Sequence, residues 1–216
     1  MNRERHIVCA WFPHWPLETW LRAQRNVKRV KAGAETHNEL QGEPETSSPC
    51  DDAEGDNPFA LLVTTPRGDL VHGVNAAAAS FGLAPGQRAT DAAAAHNDLA
   101  IAYAAPAYAA AALDRLAAWS RRWSPHTRTD GVDGIALDVT GCTHLFGGPH
   151  VMLDTIAERL AAMGLTAHLA MAPNHAAAHA LARHAKNERV IVDSKMLADA
   201  IVDLPVAALR INPASV

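Results

Sequence analysis

A short glycine-rich turn near the middle of the chain limits the possible folds more than any other stretch. Residues 130–148 read DGVDGIALDVTGCTHLFGG, and the apolar run Ile135–Val139 within them predicts a buried β-strand. Residues 124–129 predict a second strand immediately before the turn. Because this connection is far too short to hold a crossover helix, the two strands must pair as an antiparallel hairpin. The sheet of this protein therefore cannot be purely parallel.

Strands and helices alternate over the rest of the chain, which predicts an α/β (α+β) fold with a mixed, partly antiparallel sheet. The apolar run at residues 6–12 predicts a first buried strand, and residues 59–65 and 70–74 flank a Pro-Arg-Gly-Asp turn and predict a hairpin. Further strands are predicted at residues 99–103, 165–171 and 190–192. Helices are predicted from Leu17 onward and at residues 76–80, 90–96, 108–121, 151–163, 174–185 and 194–201.

Composition excludes several classes of protein. Hydrophobic residues make up 49% and charged residues 19% of the 216, a globular balance. The net charge of −4 provides no general attraction to nucleic acid, so any such contact requires a local basic patch. The cysteines Cys9, Cys50 and Cys142 are far apart and form no CxxC motif, which favours a reduced environment. Since no apolar run reaches the ~18 residues of a membrane helix, we expect a soluble, cytoplasmic protein.

The central turn carries the densest chemistry in the sequence. Its carboxylates Asp130, Asp133 and Asp138 lie within nine residues of one another. A turn that delivers carboxylates to the end of a strand is a common way to hold Mg²⁺, which prefers oxygen ligands. The residues by themselves therefore suggest a magnesium site in this hairpin.

A cluster of tryptophans and a row of histidines each have two interpretations. Three tryptophans within residues 11–20 could stack on nucleic-acid bases, but packing in the core is the preferred interpretation. His175, His179 and His184 lie near helical spacing and could bind a metal. We interpret these histidines instead as the polar face of an Ala-rich helix.

Four segments resemble, in order, the palm and fingers of Y-family (UmuC/DinB-type) translesion DNA polymerases. They read IVCAWFPHWPLE, VNAAAASFGLAPGQRATDAAAA, VDGIALDVTG and MAPNHAAAHALARHAK. The resemblance implies a palm-type sheet with packed helices and a small helical fingers subdomain. It assigns residues 1–32 and 97–205 to a palm-like domain, 59–96 to fingers, 33–58 to a flexible acidic insertion and 206–216 to a tail where a thumb would begin.

The same resemblance implies that the metal site is degenerate. Polymerases of this family hold two Mg²⁺ with three carboxylates, and the matching positions here are Cys9, Asp133 and Gly134. A single carboxylate cannot hold two hard cations, and the soft thiol of Cys9 is a poor substitute for an oxygen ligand. We therefore expect no catalytic residue and no cofactor, with Asp133 as a weak metal candidate.

The residues at the family's nucleotide-binding positions also match the family only in part. Ala76 and Ala79 occupy the positions of the Tyr and Arg that bind the triphosphate, so the bidentate phosphate donor is missing. Lys186 matches a phosphate-contacting Lys and is a candidate remnant, but a solvated Lys at a helix end is the preferred interpretation. His14 lies where the family carries a residue that selects the sugar.

Loss of these groups is typical of the ImuB-like subgroup, whose members keep the Y-family fold without the acidic triad. The resemblance implies a non-catalytic adaptor in DNA repair and SOS mutagenesis (translesion synthesis). Its partners would be an ImuA/RecA-like protein, an error-prone C-family polymerase, the sliding clamp and DNA, through segments that would follow Val216. The alternatives are an active translesion polymerase that uses Mg²⁺ with Asp130, Asp133 and Asp138, or an unrelated α/β binding module.

Overall fold

The computed structural model describes residues 5–34, 53–96 and 98–209, in two compact units. One unit comprises Met1–Pro13 with Ala110–Val216, and the other is His14–Ala109. The strands are β1 Ile7–Trp11, β2 Phe59–Thr65, β3 Gly68–Val74, β4 Ala100–Tyr103, β5 His126–Thr129, β6 Gly134–Asp138, β7 His168–Ala172 and β8 Arg189–Ile191. The α-helices are α1 Trp15–Ala34, α2 Ala76–Ser80, α3 Ala89–Ala95, α4 Pro106–Trp119, α5 Pro149–Ala162, α6 His175–His184 and α7 Leu197–Val202.

The first unit is built on a five-stranded sheet with the order β5-β6-β1-β7-β8. Strand β1 is central and pairs antiparallel with both neighbours, so that Cys9 lies opposite Ala136 on β6 and Ala170 on β7. Strands β5 and β6 form the predicted antiparallel hairpin, whereas β7 and β8 are parallel. The predicted mixed sheet is therefore confirmed.

Both faces of the central part of this sheet are covered, which explains why β1, β6 and β7 are buried without alternation. On one face, Cys9, Ala136 and Ala170 pack with residues of α6 such as Leu181 in a single buried cluster. Helix α5 packs against β7 and buries its own apolar stripe, which comprises Met152, Leu153, Ile156 and Leu160. The centre of β1 is fully buried as a result, so any group at Cys9 is shielded from bulk water.

The second unit contains a three-stranded sheet with the order β3-β2-β4. Strands β2 and β3 form the predicted hairpin, and β2 is parallel to β4. The buried side chain of Asn75 joins this sheet to α2, because its Oδ1 accepts hydrogen bonds from the backbone N–H groups of Phe59 and Ala78. Trp15 and Trp20 are buried here, which confirms the interpretation of these two tryptophans as core residues.

Several predictions of organisation stay predictions. The palm-like and fingers-like assignments are names taken from the resemblance, and most of the expected insertion 33–58 lies outside the described residues. At its end, Ala53 is buried against the cluster that contains Trp20 and Phe59. Of the expected tail, Val206–Leu209 forms a 3-10 helix and residues 210–216 lie outside the described part. None of the helices described here is long and apolar enough to cross a membrane.

Candidate functional site

The turn between β5 and β6 places two carboxylates beside the end of β1. The backbone N–H of Asp130 donates to the carbonyl of Gly134 at 2.7 Å, and that of Phe12 donates to the carbonyl of Asp133 at 2.9 Å. Gly131 makes the turn possible, since its φ of +74° lies in the left-handed region that favours glycine. Asp130 and Asp133 are therefore held on a tight, well-bonded loop.

Asp133 already has a partner at each carboxylate oxygen. The Trp11 indole Nε1 donates to Oδ2 at 2.8 Å, and Nη2 of Arg183 donates to Oδ1 at 2.6 Å. The Arg183 side chain is only 14% exposed, so its charge acts on the carboxylate with little solvent screening. Its guanidinium carbon also lies 5.9 Å from the centroid of the Trp11 ring. The carboxylate that matches the family's metal ligand is thus bound by a cation of the protein itself.

Asp130 is the more deeply buried of the two carboxylates, at 4% exposure. Its Oδ2 lies 2.7 Å from Nδ1 of His179, and its Oδ1 lies 3.2 Å from Nε2 of His175. Burial raises the pKa of Asp130, but the hydrogen bond to His179 and the charges of His179, His175 and Arg183 together hold that pKa below its ordinary value. Asp130 is therefore a buried carboxylate kept ionised by three basic side chains.

The two remaining positions of the expected metal triad contain no oxygen ligand in their side chains. Cys9 is fully buried on β1. Gly134 begins β6, and a Cβ atom built on it would lie 2.9 Å from the carbonyl oxygen of Asp130 and 3.0 Å from that of Ala10. The Nη2 atom of Arg183 would be 3.3 Å from the same Cβ. The surrounding backbone thus leaves no room for the glutamate that the resemblance would place at this position.

Asp138 is held by a separate set of groups at the other end of β6. One of its oxygens lies 3.4 Å from Nη2 of Arg5, and the other accepts a hydrogen bond from the N–H of Thr140 at 3.0 Å. Burial raises the pKa of Asp138, while Thr140 and Arg5 together bring it below its ordinary value. The strand rise separates Gly134 from Asp138 by roughly 13 Å. Asp138 therefore cannot share with Asp133 a metal pair whose ions are about 4 Å apart.

The arrangement does not fit a pair of Mg²⁺ ions. A Mg²⁺ site needs several oxygen ligands, and the residues at this end of the sheet offer a thiol, two carboxylates and basic groups that already bind them. A cation entering at Asp133 would have to displace both Arg183 and Trp11. We derive no catalytic step through Mg²⁺ for this chain.

Residues expected to bind nucleotide are placed as follows. Ala76 and Ala79 are exposed on α2, where a methyl group provides no hydrogen-bond donor for phosphate. Lys186 is exposed two residues after α6, and His14 is exposed just before α1. Their assignments from the resemblance stay predictions.

The sequence interpretation missed the basic groups that surround the carboxylates. The histidines of α6 were interpreted as a polar face, which is wrong for His179, because it is 7% exposed and bound to Asp130. His175, His179 and Arg183 follow one another at intervals of four residues, the spacing that places side chains on one face of a helix. That spacing was the available signal, but it does not reveal which strand the face covers.

The sequence matches a known family and has relatives among known proteins. A model of the impB/mucB/samB family matches residues 55–183. The chain is 45% identical over 135 residues to the protein ImuB of Caulobacter vibrioides, in strains NA1000 / CB15N and ATCC 19089 / CIP 103742 / CB 15. The aligned part covers 62% of this chain and 29% of ImuB.

The fold is similar to those of solved DNA polymerases. DinB from Sulfolobus solfataricus superimposes with a TM-score of 0.62 at 14% identity, over 97% of this chain and 55% of that one. The insertion ternary complex of Dbh DNA polymerase gives 0.62 at 15% identity, over 94% of this chain and 53% of that one. At these identities the likeness shows the fold alone. The chain spans under a third of the length of the ImuB proteins and about half of the polymerases.

Proposed function

The chain belongs to the impB/mucB/samB family, the UmuC-type group within the Y-family of DNA polymerases, and from that membership we propose that it is an ImuB-like, non-catalytic member. In this role it acts in DNA repair and damage-induced (SOS) mutagenesis, as an adaptor for translesion synthesis rather than as the polymerase. The identity of 45% to the ImuB proteins supports the subgroup.

The observation that carries the proposal is the pairing of Asp133 with Arg183. The 2.6 Å contact places a guanidinium charge on the carboxylate that would otherwise attract a divalent cation. Charge-assisted hydrogen bonds of this length are about twice as strong as neutral ones, and Trp11 binds the second oxygen. The positive charge that the family obtains from Mg²⁺ is thus supplied here by a side chain, which stabilises the site but activates no phosphate.

The rest of the site supports the same conclusion. Cys9 offers a soft thiol where two hard cations would need a bridging carboxylate, and Gly134 is enclosed by backbone atoms. Ala76 and Ala79 present only methyl groups where the resemblance would place triphosphate ligands. To act as a polymerase, this chain would need other residues to supply both the missing metal ligands and the missing triphosphate ligands.

The proposed partners follow from the same family membership. We propose DNA, a sliding clamp, an ImuA/RecA-like protein and an error-prone C-family polymerase, in the cytoplasm. The part of this chain that aligns with ImuB covers 29% of that protein, so contact residues for these partners are not assigned to this chain.

Primer extension tests the catalytic part of the proposal. With Mg²⁺ or Mn²⁺ and all four dNTPs, we expect no templated incorporation, and Asp133→Ala should behave like the wild type. The positive control is Dbh DNA polymerase in the same assay. Titration calorimetry with Mg²⁺–dNTP should show no binding tighter than about millimolar.

The outcome that would overturn the proposal is incorporation that Asp133→Ala abolishes, since it would favour the alternative of an active polymerase with a rearranged acidic site.

A genetic test covers the adaptor role. In the gene that encodes this chain, Asp133→Asn should leave damage-induced mutagenesis unchanged, because the amide keeps an oxygen that accepts from Arg183, whereas deletion of the gene should reduce mutagenesis. Loss of mutagenesis with Asp133→Asn, in a variant that still accumulates to wild-type levels, would contradict a non-catalytic role.

A further inference from the structure

The residues that exclude a pair of Mg²⁺ ions bring together a different set of metal ligands. A thiol sulfur of Cys9, a carboxylate oxygen of Asp130 and a ring nitrogen of His175 all lie within 4.8 Å of one another. These residues come from β1, the β5–β6 turn and the first position of α6, segments that are far apart in the sequence. We propose that Cys9, Asp130 and His175 bind a single Zn²⁺ ion.

The donor set favours zinc over the hard cations. Zinc accepts thiolate, imidazole and carboxylate ligands, whereas Mg²⁺ requires an octahedron of oxygen atoms. A thiolate in particular selects for softer metals. Cys9 offers a sulfur atom where a Mg²⁺ site would need an oxygen atom, and that sulfur makes the proposed site selective for zinc.

The distances agree with a tetrahedral zinc site that closes slightly on binding. Zn–N, Zn–O and Zn–S bonds of about 2.0–2.3 Å separate neighbouring ligand atoms in a tetrahedron by roughly 3.3–3.8 Å. Nε2 of His175 and Oδ1 of Asp130 are already 3.2 Å apart. The sulfur of Cys9 lies within 4.8 Å of a carboxylate oxygen of Asp130 and of a ring nitrogen of His175, so a shift of about 1 Å completes the three-ligand set.

The groups behind the ligands hold them in place. His179 lies 2.7 Å from Oδ2 of Asp130, which orients the carboxylate and leaves Oδ1 directed at His175. The start of α6 is fixed by Asn174, whose Oδ1 accepts a hydrogen bond from the N–H of Ala177. Cys9 is in the centre of the sheet. All three ligands thus stand on well-supported backbone.

His175 is the ligand nearest to solvent, since neither Cys9 nor Asp130 lines the cavity beside it. Its side chain is 26% exposed and lines a cavity of about 410 Å³, together with Arg5, His126, Arg128 and Asp138. A water molecule from this cavity would supply the fourth ligand, since three protein ligands and one water is a common zinc arrangement. Binding converts the Cys9 thiol to a thiolate, whose proton goes to solvent. The ring hydrogen of His175 moves from Nε2, where it faces Asp130, to Nδ1, so that Nε2 can bind the metal. The ion would tie three distant segments together and stabilise this unit.

Cobalt spectroscopy tests the proposal on the whole chain, prepared without a histidine tag and stripped of metal. Co²⁺ should bind with one equivalent per chain and give a thiolate-to-cobalt charge-transfer band with tetrahedral d–d bands, and one equivalent of Zn²⁺ should remove both. Zn²⁺ should also raise the melting temperature, because it binds the folded state alone. A folded wild-type chain that shows neither the charge-transfer band nor a rise in melting temperature would overturn the proposal.

Matched variants locate the site. Cys9→Ser should abolish the charge-transfer band, and the control Cys142→Ser should retain it. His175→Ala should weaken Zn²⁺ binding by more than roughly 100-fold, since even loss of an outer-sphere partner costs 10- to 100-fold, whereas His184→Ala on the same helix should bind as the wild type does. Circular dichroism confirms that each variant is folded. A band that survives Cys9→Ser but disappears with Cys142→Ser would refute the assignment, and the polymerase tests above are independent of either result.

Discussion

At the scale of single residues, the central feature of the β5–β6 turn is the side chain that neutralises Asp133. In the structure it is Arg183, supported by the Trp11 indole, and both come from other elements of the same unit. The pair is only partly exposed, so the two charges depend on each other more strongly than a surface pair does. Removal of one partner should therefore be costly.

Arg183→Met provides the direct test of that dependence. The change leaves Asp133 and Asp130 without their guanidinium, and we expect the free energy of unfolding to fall by about 2–4 kcal/mol in urea denaturation. The matched control is Arg189→Met, whose pair with Asp154 is 51% and 55% exposed and should contribute at most about 1 kcal/mol. Adding Asp133→Asn to Arg183→Met should recover part of the loss. Equal effects of the two arginine changes would contradict the importance of the Asp133 pair.

Gly134 yields a second prediction at this scale, because the structure gives a steric reason for its glycine. The Cβ of Gly134→Ala would meet backbone carbonyl oxygens at 2.9 and 3.0 Å, neither of which can move cheaply. Overpacking of this kind costs about 1–3 kcal/mol, measured by urea denaturation. In the control Gly73→Ala, the nearest atom to the new Cβ is the Leu17 Cβ at 3.4 Å, an ordinary contact. A Gly134→Ala protein as stable as Gly73→Ala would show that the turn can yield.

At the scale of elements, two asparagines cap helices, and one of them makes additional hydrogen bonds to other elements. Asn174 caps α6 through a single hydrogen bond from Ala177. Asn75 caps α2 and also accepts from the N–H of Phe59, while its Nδ2 donates to the carbonyl of Asn57 at 2.8 Å. Asn75 therefore joins a helix, a strand and a loop of the second unit.

Replacing each asparagine by alanine should separate capping from these additional bonds. Asn174→Ala should cost about 1 kcal/mol, the ordinary value of an N-cap. Asn75→Ala should cost about 2–4 kcal/mol, because the buried N–H of Phe59 loses its partner in addition to the cap. The measurement is the free energy of unfolding from urea titrations. Equal losses would mean that Phe59 finds another acceptor.

At the scale of the whole molecule, each unit is organised around one strand with neighbours on both sides. In the first unit this strand is β1, between β6 and β7, and in the second it is β2, between β3 and β4. Among the described residues, β5 and β8 stand at the ends of the first sheet. The backbone of β1 is therefore the last part of its sheet to reach water during local opening.

Hydrogen exchange followed by mass spectrometry checks this organisation. We expect the slowest exchange of the first unit in β1 and the fastest strand exchange in the three-residue β8. In the second unit, β2 should be protected more strongly than β4, which provides an internal comparison. Protection of β8 equal to that of β1 would contradict the strand order.

The amino-acid sequence by itself determined most of the strands and helices and the β5–β6 hairpin. These properties are local, because apolar periodicity selects the element and a short turn forces antiparallel pairing. The incomplete carboxylate triad at Cys9, Asp133 and Gly134 is implied by the resemblance and stays a prediction. A resemblance in four ordered segments was enough to assign the family. The roles of Asp130 and the α6 histidines were not predictable in this way.

Only the tertiary structure decided which groups meet at the central turn. Arg183 and Asp133 are 50 residues apart, and His175 and Asp130 are 45 apart. Helical spacing places His175, His179 and Arg183 on one face, but the packing of that face against β1 and the turn results from burial of the apolar cluster around Cys9. Hydrophobic burial is not directional, so a sequence pattern specifies that a face is covered without specifying what covers it. That is why the absence of side-chain oxygen ligands at Cys9 and Gly134 is readable from the residues, whereas the pairing of Asp133 with Arg183 is not.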